Sequence, residues 1–521
     1  MGTMPAPTPS GPQRILPGDA GCALHDVTAS RAIEAAALAR HAPHALMQRA
    51  GQAVARLGLA VAPHARHVWV ACGPGNNGGD GLVAATLLQR AGRSVSATLF
   101  GDAQRLPDDA RQARLEALQA GVSIAPLAGD APVDLAIDAL LGLGASRAPE
   151  GAIAEAIARL GSLGAAILAV DLPSGLGADT GQRLGSDAVV ATHTLSLLTL
   201  KPGLFTAEGR DHAGQIWLDT LGVDTSDAAP SARLAGAGVL DLLAPRAHAS
   251  HKGSYGDLWV VGGAPGMTGA ALLAGRAALA AGAGRVFVNL LDAGAPPCDP
   301  QQPELMLRRD AWRGDAAALA RSTVVCGCGG SSAVRDALPA LLSRSARLLL
   351  DADALNALST DESLRRLLNA RAGRGQATVL TPHPLEAARL LGCDAAQIQG
   401  NRLRAARDLA RRHDCVVLLK GSGSIVAGPD GAATIIPTGN GLLAGGGTGD
   451  VLAGWIGAFW AQAAAGRADA ARRATEAAAW LHGHAADRLL ASAPGSLALR
   501  AGELSEHMRQ AAALRRSAPQ H

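Results

Sequence analysis

Six residues late in the chain, Gly445-Gly446-Gly447-Thr448-Gly449-Asp450, run straight into an apolar, helix-forming stretch. Glycines let backbone N–H groups converge on an anion, and a helix start adds the positive end of its dipole, so this segment is suited to phosphates. Asp450 sits where a bound phosphate would otherwise repel it. A carboxylate there can accept the proton of a hydroxyl as it attacks a phosphoryl group; it can equally cap the helix, as Asp often does.

Lysine is the next chemical signal. Of 47 Lys and Arg residues only Lys201, Lys252 and Lys420 are lysine, and each lies beside glycine, in LKPG, HKGSYG and LLKGSG. Lysine kept in a chain so biased toward arginine suits places that need a compact, flexible point charge rather than a planar fork; with three cases, chance placement is the alternative. Lys420-Gly421-Ser422-Gly423-Ser424 follows an apolar run and can close over phosphates, as can GGAPGMTGA earlier. His383 in TPHP, and Asp351 with Asp353 in DADALN, also end apolar runs, at the strand ends where open α/β sheets hold ligands. His383 can instead be a turn residue, and the two aspartates can be helix caps.

In the first half, CGPGNNGGDG (Cys72 to Gly81) separates the run HVWVACG from a helix-length segment. Asn76 and Asn77 can donate amide hydrogens and offer carbonyl oxygens, and the glycines permit close approach of a ligand. Asp138 in AIDALLGLGASR and Asp171 in VDLPSGLGADTG end two further apolar strands, so three strand ends converge on one crevice. The oxygen-rich set Asn77, Asp138 and Ser174 suits a hard cation. The alternative is that these carboxylates cap helices or hold turns.

The elements that must position these groups alternate between short β-rich runs and helix-length segments. Thr28 to Ala62 reads as one or two helices packed ahead of a sheet; strands and helices then alternate to ATHTLSLLTL, with helices expected after Asp80, over Asp109 to Ala120 and near 151–160. Small and polar residues break the pattern at 222–238, and alternation resumes at GDLWVVGG, ending in long helices from Asp450 onward. This predicts two parallel-sheet α/β domains covered on both faces. A length of 521 residues is also too great for one ordinary core.

Composition narrows the function classes. The chain is 48% hydrophobic and 17% charged with net charge +3, which fits a globular protein and gives no reason to expect nucleic acid or an anionic membrane as partner. Seven cysteines without a CxxC pair argue against structural zinc and for a reducing cytoplasm. Apolar runs fall short of the ~20 residues that span a bilayer. The start, MGTMPAPTPSGPQRILPGDAG, lacks a signal-peptide core and reads as a disordered leader over 1–22.

In order, HKGSYGDLWVVGG, MTGA, LDADALNAL, TVLTPHPLEAARLLG, LLKGSGSIVAG and TGNGLLAGGGTGDVLAG closely resemble the ribokinase-like, ADP-dependent NAD(P)H-hydrate dehydratase family over about Pro245 to His484. The resemblance implies that a hydrated nicotinamide cofactor is phosphorylated on its added hydroxyl by ADP, with Mg2+, and loses phosphate to regenerate NADH or NADPH. It implies Asp450 as the group that activates the hydroxyl and Gly449 as an amide on the nucleotide phosphates. It places Lys420, Gly421, Ser422, Gly423 and Ser424 along ADP, and Ala270, Gly329, His383 and Asp450 against the hydrate. Where the family usually has a GPGLG-like turn this chain reads GCGGS, Gly327 to Ser331; its usual Asn-Pro-Gly-Met is Asn440-Gly441-Leu442-Leu443.

With LMQRAG (Leu46 to Gly51) upstream, the first-half segments resemble the Rossmann-like NAD(P)H-hydrate epimerase family over about Ala23 to Leu221. That resemblance implies interconversion of the R and S hydrates, with K+ at Asn77, Asp138 and Ser174. It implies substrate along Asn76, Asn77, Gly78, Gly79 and Asp80, along Gly142, Leu143, Gly144, Ala145, Ser146, Arg147 and Ala148, and at Asp171. Leu143 stands where the family usually has Thr. Asp171 is taken as the acid/base group. The expectation is a fused repair enzyme: epimerase domain 23–226, linker 227–240, dehydratase domain 241–515, acting on small molecules as a cytoplasmic homo-oligomer. Two rivals are a small-molecule kinase, built on the GTGD loop and acting on a vitamin precursor or sugar, and a first domain that binds a nucleotide or protein partner without catalysis.

Overall fold

The computed structural model describes residues 11–126, 132–242, 246–314, 316–463 and 467–517. Two compact units account for them. One comprises Met1–Leu16 with Cys22–Arg233, the other Pro17–Gly21 with Leu234–His521.

In the first unit eight strands form one sheet, ordered Gln13–Arg14, Gln215–Asp219, His193–Leu197, Ala166–Val170, Leu135–Ala139, His67–Cys72, Ser94–Leu99, Ser123–Ile124. Every pairing is parallel except the first, in which Gln13 and Arg14 run antiparallel to Leu218 and Trp217. The central strands are continuous Val, Ile, Leu and Ala runs because both faces are covered. From His67–Cys72 the chain proceeds outward to one edge, then returns to place Leu135–Ala139 on the other side. The crevice between those two strands is a topological switch point, where such sheets bind ligands.

The expected leader divides at this sheet. Residues 1–10 lie outside the described residues, whereas Gln13–Arg14 is an edge strand, because backbone pairing with Trp217–Leu218 orders a segment that has no apolar pattern of its own. The 227–240 segment likewise carries structure, with a strand at Ala232–Leu234 and a 3-10 helix at Ala237–Leu242; the change of unit falls within it.

In the second unit the sheet runs Met306–Arg308, Arg285–Leu290, Asp257–Gly262, Thr323–Cys326, Arg347–Leu350, Ala377–Leu380, Val416–Leu419, Ile425–Ala427, Ala433–Ile435. The first seven of these are parallel; the last two continue antiparallel, with Leu419 opposite Ile425. Helix Thr448–Gln462 lies in the core, with Trp455, Phe459 and Trp460 buried. It crosses helix Thr268–Ala280 so closely that a Cβ on Gly454 would lie 2.2 Å from the Ala274 carbonyl oxygen. No described helix is long and apolar enough to cross a membrane.

Candidate active sites

The second unit's motif segments gather at the C-terminal ends of its parallel strands. Helix Thr448–Gln462 begins with Gly447 as N-cap, at φ 89°, and no side chain caps it. Its first intrahelical bond runs from Val451 N to Gly447 O, so the amides of Thr448, Gly449 and Asp450 precede the ladder and are free to face an anion. The loop before them is fixed from within: the Thr448 hydroxyl donates to Leu443 O (2.9 Å) and Gly445 O (3.0 Å).

Asp450 is therefore not the cap of this helix. Its carboxylate accepts a hydrogen bond from the Cys328 thiol, and reactive atoms of Cys328, Asp351 and Asp450 lie within 4.8 Å of one another. Lys420 Nζ donates to Asp351 Oδ1 at 2.7 Å and stands 3.6 Å from where a Cβ on Gly449 would be. Burial, and then Asp351, push the Asp450 carboxyl up to about 6, against the pull of Cys328 and Lys420. Burial holds the Cys328 thiol well above its ordinary range, reinforced by the two carboxylates, so it acts as a donor. Burial would lower Lys420, but Asp351 and Glu386 outweigh it and the ammonium form is favoured.

The remaining segments close around this group. The Lys420 amide donates to Pro382 O at 2.9 Å, tying TPHP to the lysine. His383 is the N-cap of helix Pro384–Leu391: its Nδ1 accepts from Leu385 N at 3.1 Å, and Nε2 lies 3.4 Å from Glu386 Oε1. Both ring nitrogens are thus engaged by its own helix, leaving ring edge and face for a ligand. Gly329, at φ 58°, abuts Ala270, whose Cβ would lie 2.9 Å from one on Gly329. Asp353 Oδ2 accepts from Ser331 N at 2.7 Å, so neither Asp351 nor Asp353 caps the next helix, whose N-cap is Ala352. Gly421 to Ser424 form the hairpin turn after Lys420, where Ser424 Oγ donates to Gly421 O.

In the first unit a cavity of about 480 Å³ opens at the switch point, lined among others by Glu34, Asn76, Asn77, Asp80, Asp171 and Lys201. Helix Asn76–Arg90 starts at Asn76, ahead of the expected position after Asp80, with Gly75 as N-cap. The NNGGD motif is therefore the helix's first turn, and its glycines answer to packing. A Cβ on Gly78 would lie 2.1 Å from Gly73 O, and one on Gly79 2.5 Å from the Met47 methyl. Asn76, Asn77 and Asp80 face the cavity; Gly142, Leu143, Gly144 and Ala145 line it too, whereas Ser146, Arg147 and Ala148 are exposed and outside the lining.

Asp138 and Ser174 are both fully buried and bound to each other. Ser174 Oγ donates to Asp138 Oδ1 at 2.6 Å and Ser174 N to Oδ2 at 2.8 Å. Burial pushes Asp138 up to about 6 against these bonds. Asn77 shares no hydrogen bond with that pair among the described residues, and its buried Nδ2 has no partner. Asp171 takes φ 68°, which Asp tolerates better than most side chains, and its Oδ1 accepts from Leu197 N and from Lys201 Nζ. Burial, then Asp171, Glu34 and Asp109, hold Asp80 well above the carboxylate range; burial and Asp171 raise Glu34 against Lys201 and Arg31.

Sequence reasoning did not place Glu34, Lys201 or Cys328 in a site. Lysine scarcity was a signal for Lys201; a helical Glu and a thiol in a glycine turn carry none.

Two sheet-end sites, one beside an uncapped helix start and one at a switch point, define a two-domain α/β enzyme with a ribokinase-like C-terminal unit. A family model described as NAD(P)H-hydrate dehydratase matches residues 258–509, and one described as YjeF-related protein N-terminus matches residues 43–203. The chain is 40% identical over 425 residues to the bifunctional NAD(P)H-hydrate repair enzyme of Escherichia coli, covering 80% of each. It is 36% identical over 476 residues to that of Coxiella burnetii, covering 89% of this chain and 94% of the relative. The chain belongs to the bifunctional NAD(P)H-hydrate repair enzymes. Among solved structures, the ADP/ATP-dependent NAD(P)H-hydrate dehydratase of Bacillus subtilis, co-crystallised with ATP and Mg2+, is 30% identical with TM-score 0.44, covering 53% of this chain and 95% of that one.

Proposed function

We propose that the N-terminal unit interconverts the R and S hydrates of NADH and NADPH, and that the C-terminal unit dehydrates the S epimer using ADP, releasing AMP and phosphate. The observation that carries the second activity is the meeting of a raised carboxyl, Asp450, with three unladdered amides and Lys420. Asp450 takes the proton of the substrate hydroxyl as its oxygen attacks the terminal phosphorus of ADP and the bond to AMP breaks. The Gly449 amide and Lys420 offset the charge spread over the transferring oxygens. The ring C–O bond to the new phosphate then breaks, inorganic phosphate leaves and a ring proton is lost, restoring the dihydronicotinamide. The Lys420 to Ser424 turn borders the nucleotide; Ala270, Gly329 and the His383 ring border the hydrate.

Epimerisation inverts the carbon that carries the added hydroxyl. Its C–O bond breaks as a proton reaches the departing oxygen, and a water re-adds on the other face and gives a proton back. Asp171 is the acid/base group in this reading, beside the raised carboxyls Asp80 and Glu34.

The oxygens of Asp138 and Ser174, with the Leu141 carbonyl 3.3 Å from Ser174 Oγ, fit a hard monovalent cation. With Asn77 they would hold K+, which supplies a fixed charge for substrate phosphate. The cluster of Cys328, Asp351 and Asp450 does not fit resident Mg2+, because a soft thiol and the Lys420 ammonium occupy it; Mg2+ enters with the nucleotide. All seven cysteines are free, which supports a reducing cytoplasm. A homo-oligomer is part of the reading and is tested by light scattering.

The experiment is to incubate the protein with hydrated NADH and ADP and follow nicotinamide absorbance. Absorbance returns with ADP present; no return overturns the repair reading in favour of a kinase for another small molecule.

A further inference from the structure

Lys201 is one of the three lysines the chain retains, and no step above uses it. It is 1% exposed. Its ammonium can donate three hydrogen bonds, and the structure accounts for all three: to Asp171 Oδ1, to Leu197 O at 2.8 Å and to Ser196 Oγ at 3.3 Å. The Ser196 hydroxyl gives its own proton to Thr199 O, so it meets Lys201 as an acceptor. No donor of Lys201 is left for a substrate.

The effect falls on Asp171. Its Oδ1 is saturated by Lys201 and by Leu197 N, and its own amide donates to Leu195 O. Oδ2 has no partner among the described residues, and the residue lines the cavity. Charged groups face this site from every side: Glu34 and Arg31 on helix Val27–Leu38, Asp80 on helix Asn76–Arg90, Asp109 on helix Asp108–Gln119. Three of those four are carboxylates, which repel Asp171 rather than hold it, so its side chain is fixed by Lys201 and Leu197 N.

We propose that Lys201 is the positioning residue of the epimerase: it locks Asp171 Oδ1 so that Oδ2 alone meets the hydroxyl on the inverting carbon of the hydrate. This rests on the reading of Asp171 as the acid/base group. A positioning lysine acts on turnover and not on binding, and it acts only through Asp171.

The test is a double-mutant cycle in the full-length protein, assayed on the R hydrate with kcat and KM resolved. Lys201→Met is expected to lower kcat on the order of 100-fold, the scale of a misplaced reacting group, with KM within about twofold by the same reasoning. Because Lys201→Met strands a buried carboxylate, the double variant Lys201→Met/Asp171→Asn removes both charges and serves where the single one folds poorly. In the Asp171→Asn background, Lys201→Met is expected to cost nothing further in kcat. A wild-type rate in Lys201→Met, or losses that multiply in the double variant, overturns the assignment of Lys201 while leaving Asp171 in place. A wild-type rate in Asp171→Asn overturns the reading of Asp171 and this inference with it.

Discussion

Each unit joins a lysine, buried at Lys201 and half-buried at Lys420, to an aspartate at a strand end, and the two pairs differ in which carboxylate faces the reaction. In the N-terminal unit Lys201 holds Asp171, the cavity-lining residue itself, and the raised groups Asp80 and Glu34 stand beside it. In the C-terminal unit Lys420 holds Asp351, and the neighbour without a cation of its own, Asp450, is pushed up to about 6. A paired carboxylate is fixed in place; an unpaired one beside it is lifted toward neutrality, where a base is most effective. Helix starts do not separate the two sites, because Asn76–Arg90 and Thr448–Gln462 both begin without a side-chain cap; the carboxylate that the lysine pairs does.

The strongest way to break this comparison is Asp450→Asn. Dehydration is expected to fall at least ~100-fold, as for loss of an acid/base group, with ADP affinity retained by calorimetry and turnover of the R hydrate unchanged. Parallel loss of both activities would mean the two sites are not independent. A somewhat smaller effect is expected from Asp138→Ala, which orphans Ser174 N and takes the 2.6 Å acceptor from Ser174 Oγ. Each buried group left unpaired costs about 1–3 kcal/mol, so unfolding of the N-terminal unit should shift down while epimerisation falls to the spontaneous rate. Asn77→Ala removes one cavity-facing oxygen without that stability loss. Undiminished epimerase turnover in both variants would remove the cation site from the reading.

Much of this architecture was legible because parallel sheets buried on two faces write themselves as apolar runs between helix-length segments. The strand-end positions of Asp138, Asp171, Asp351 and Lys420 followed from the same pattern. Other features depend on contacts that local sequence does not encode. The start of helix Asn76–Arg90 lies inside the glycine motif because Gly78 and Gly79 pack against Gly73 and Met47, residues distant in sequence or across a turn. The 30-residue separation of Asp171 and Lys201 is closed only by the neighbouring strands Ala166–Val170 and His193–Leu197. Gln13–Arg14 pairs through its backbone, which side-chain periodicity cannot report.

The smallest predicted effect sharpens the comparison most directly, because it changes the neighbourhood of the unpaired carboxylate alone. Cys328 is buried, and its thiol hydrogen bond favours the ionised form of Asp450. Asp450 must be deprotonated to accept the hydroxyl proton, so dehydratase activity should be lost as pH falls through about 6. Cys328→Ala withdraws a bond that lowers Asp450, and the acid limb of the kcat/KM profile is expected to move to higher pH, with full activity restored in alkaline buffer. Cys328→Ser supplies a hydroxyl donor and should leave the limb near its wild-type position or below it. An unmoved limb in Cys328→Ala would mean that burial and Asp351 alone set the base, and that the thiol at this turn only fills space.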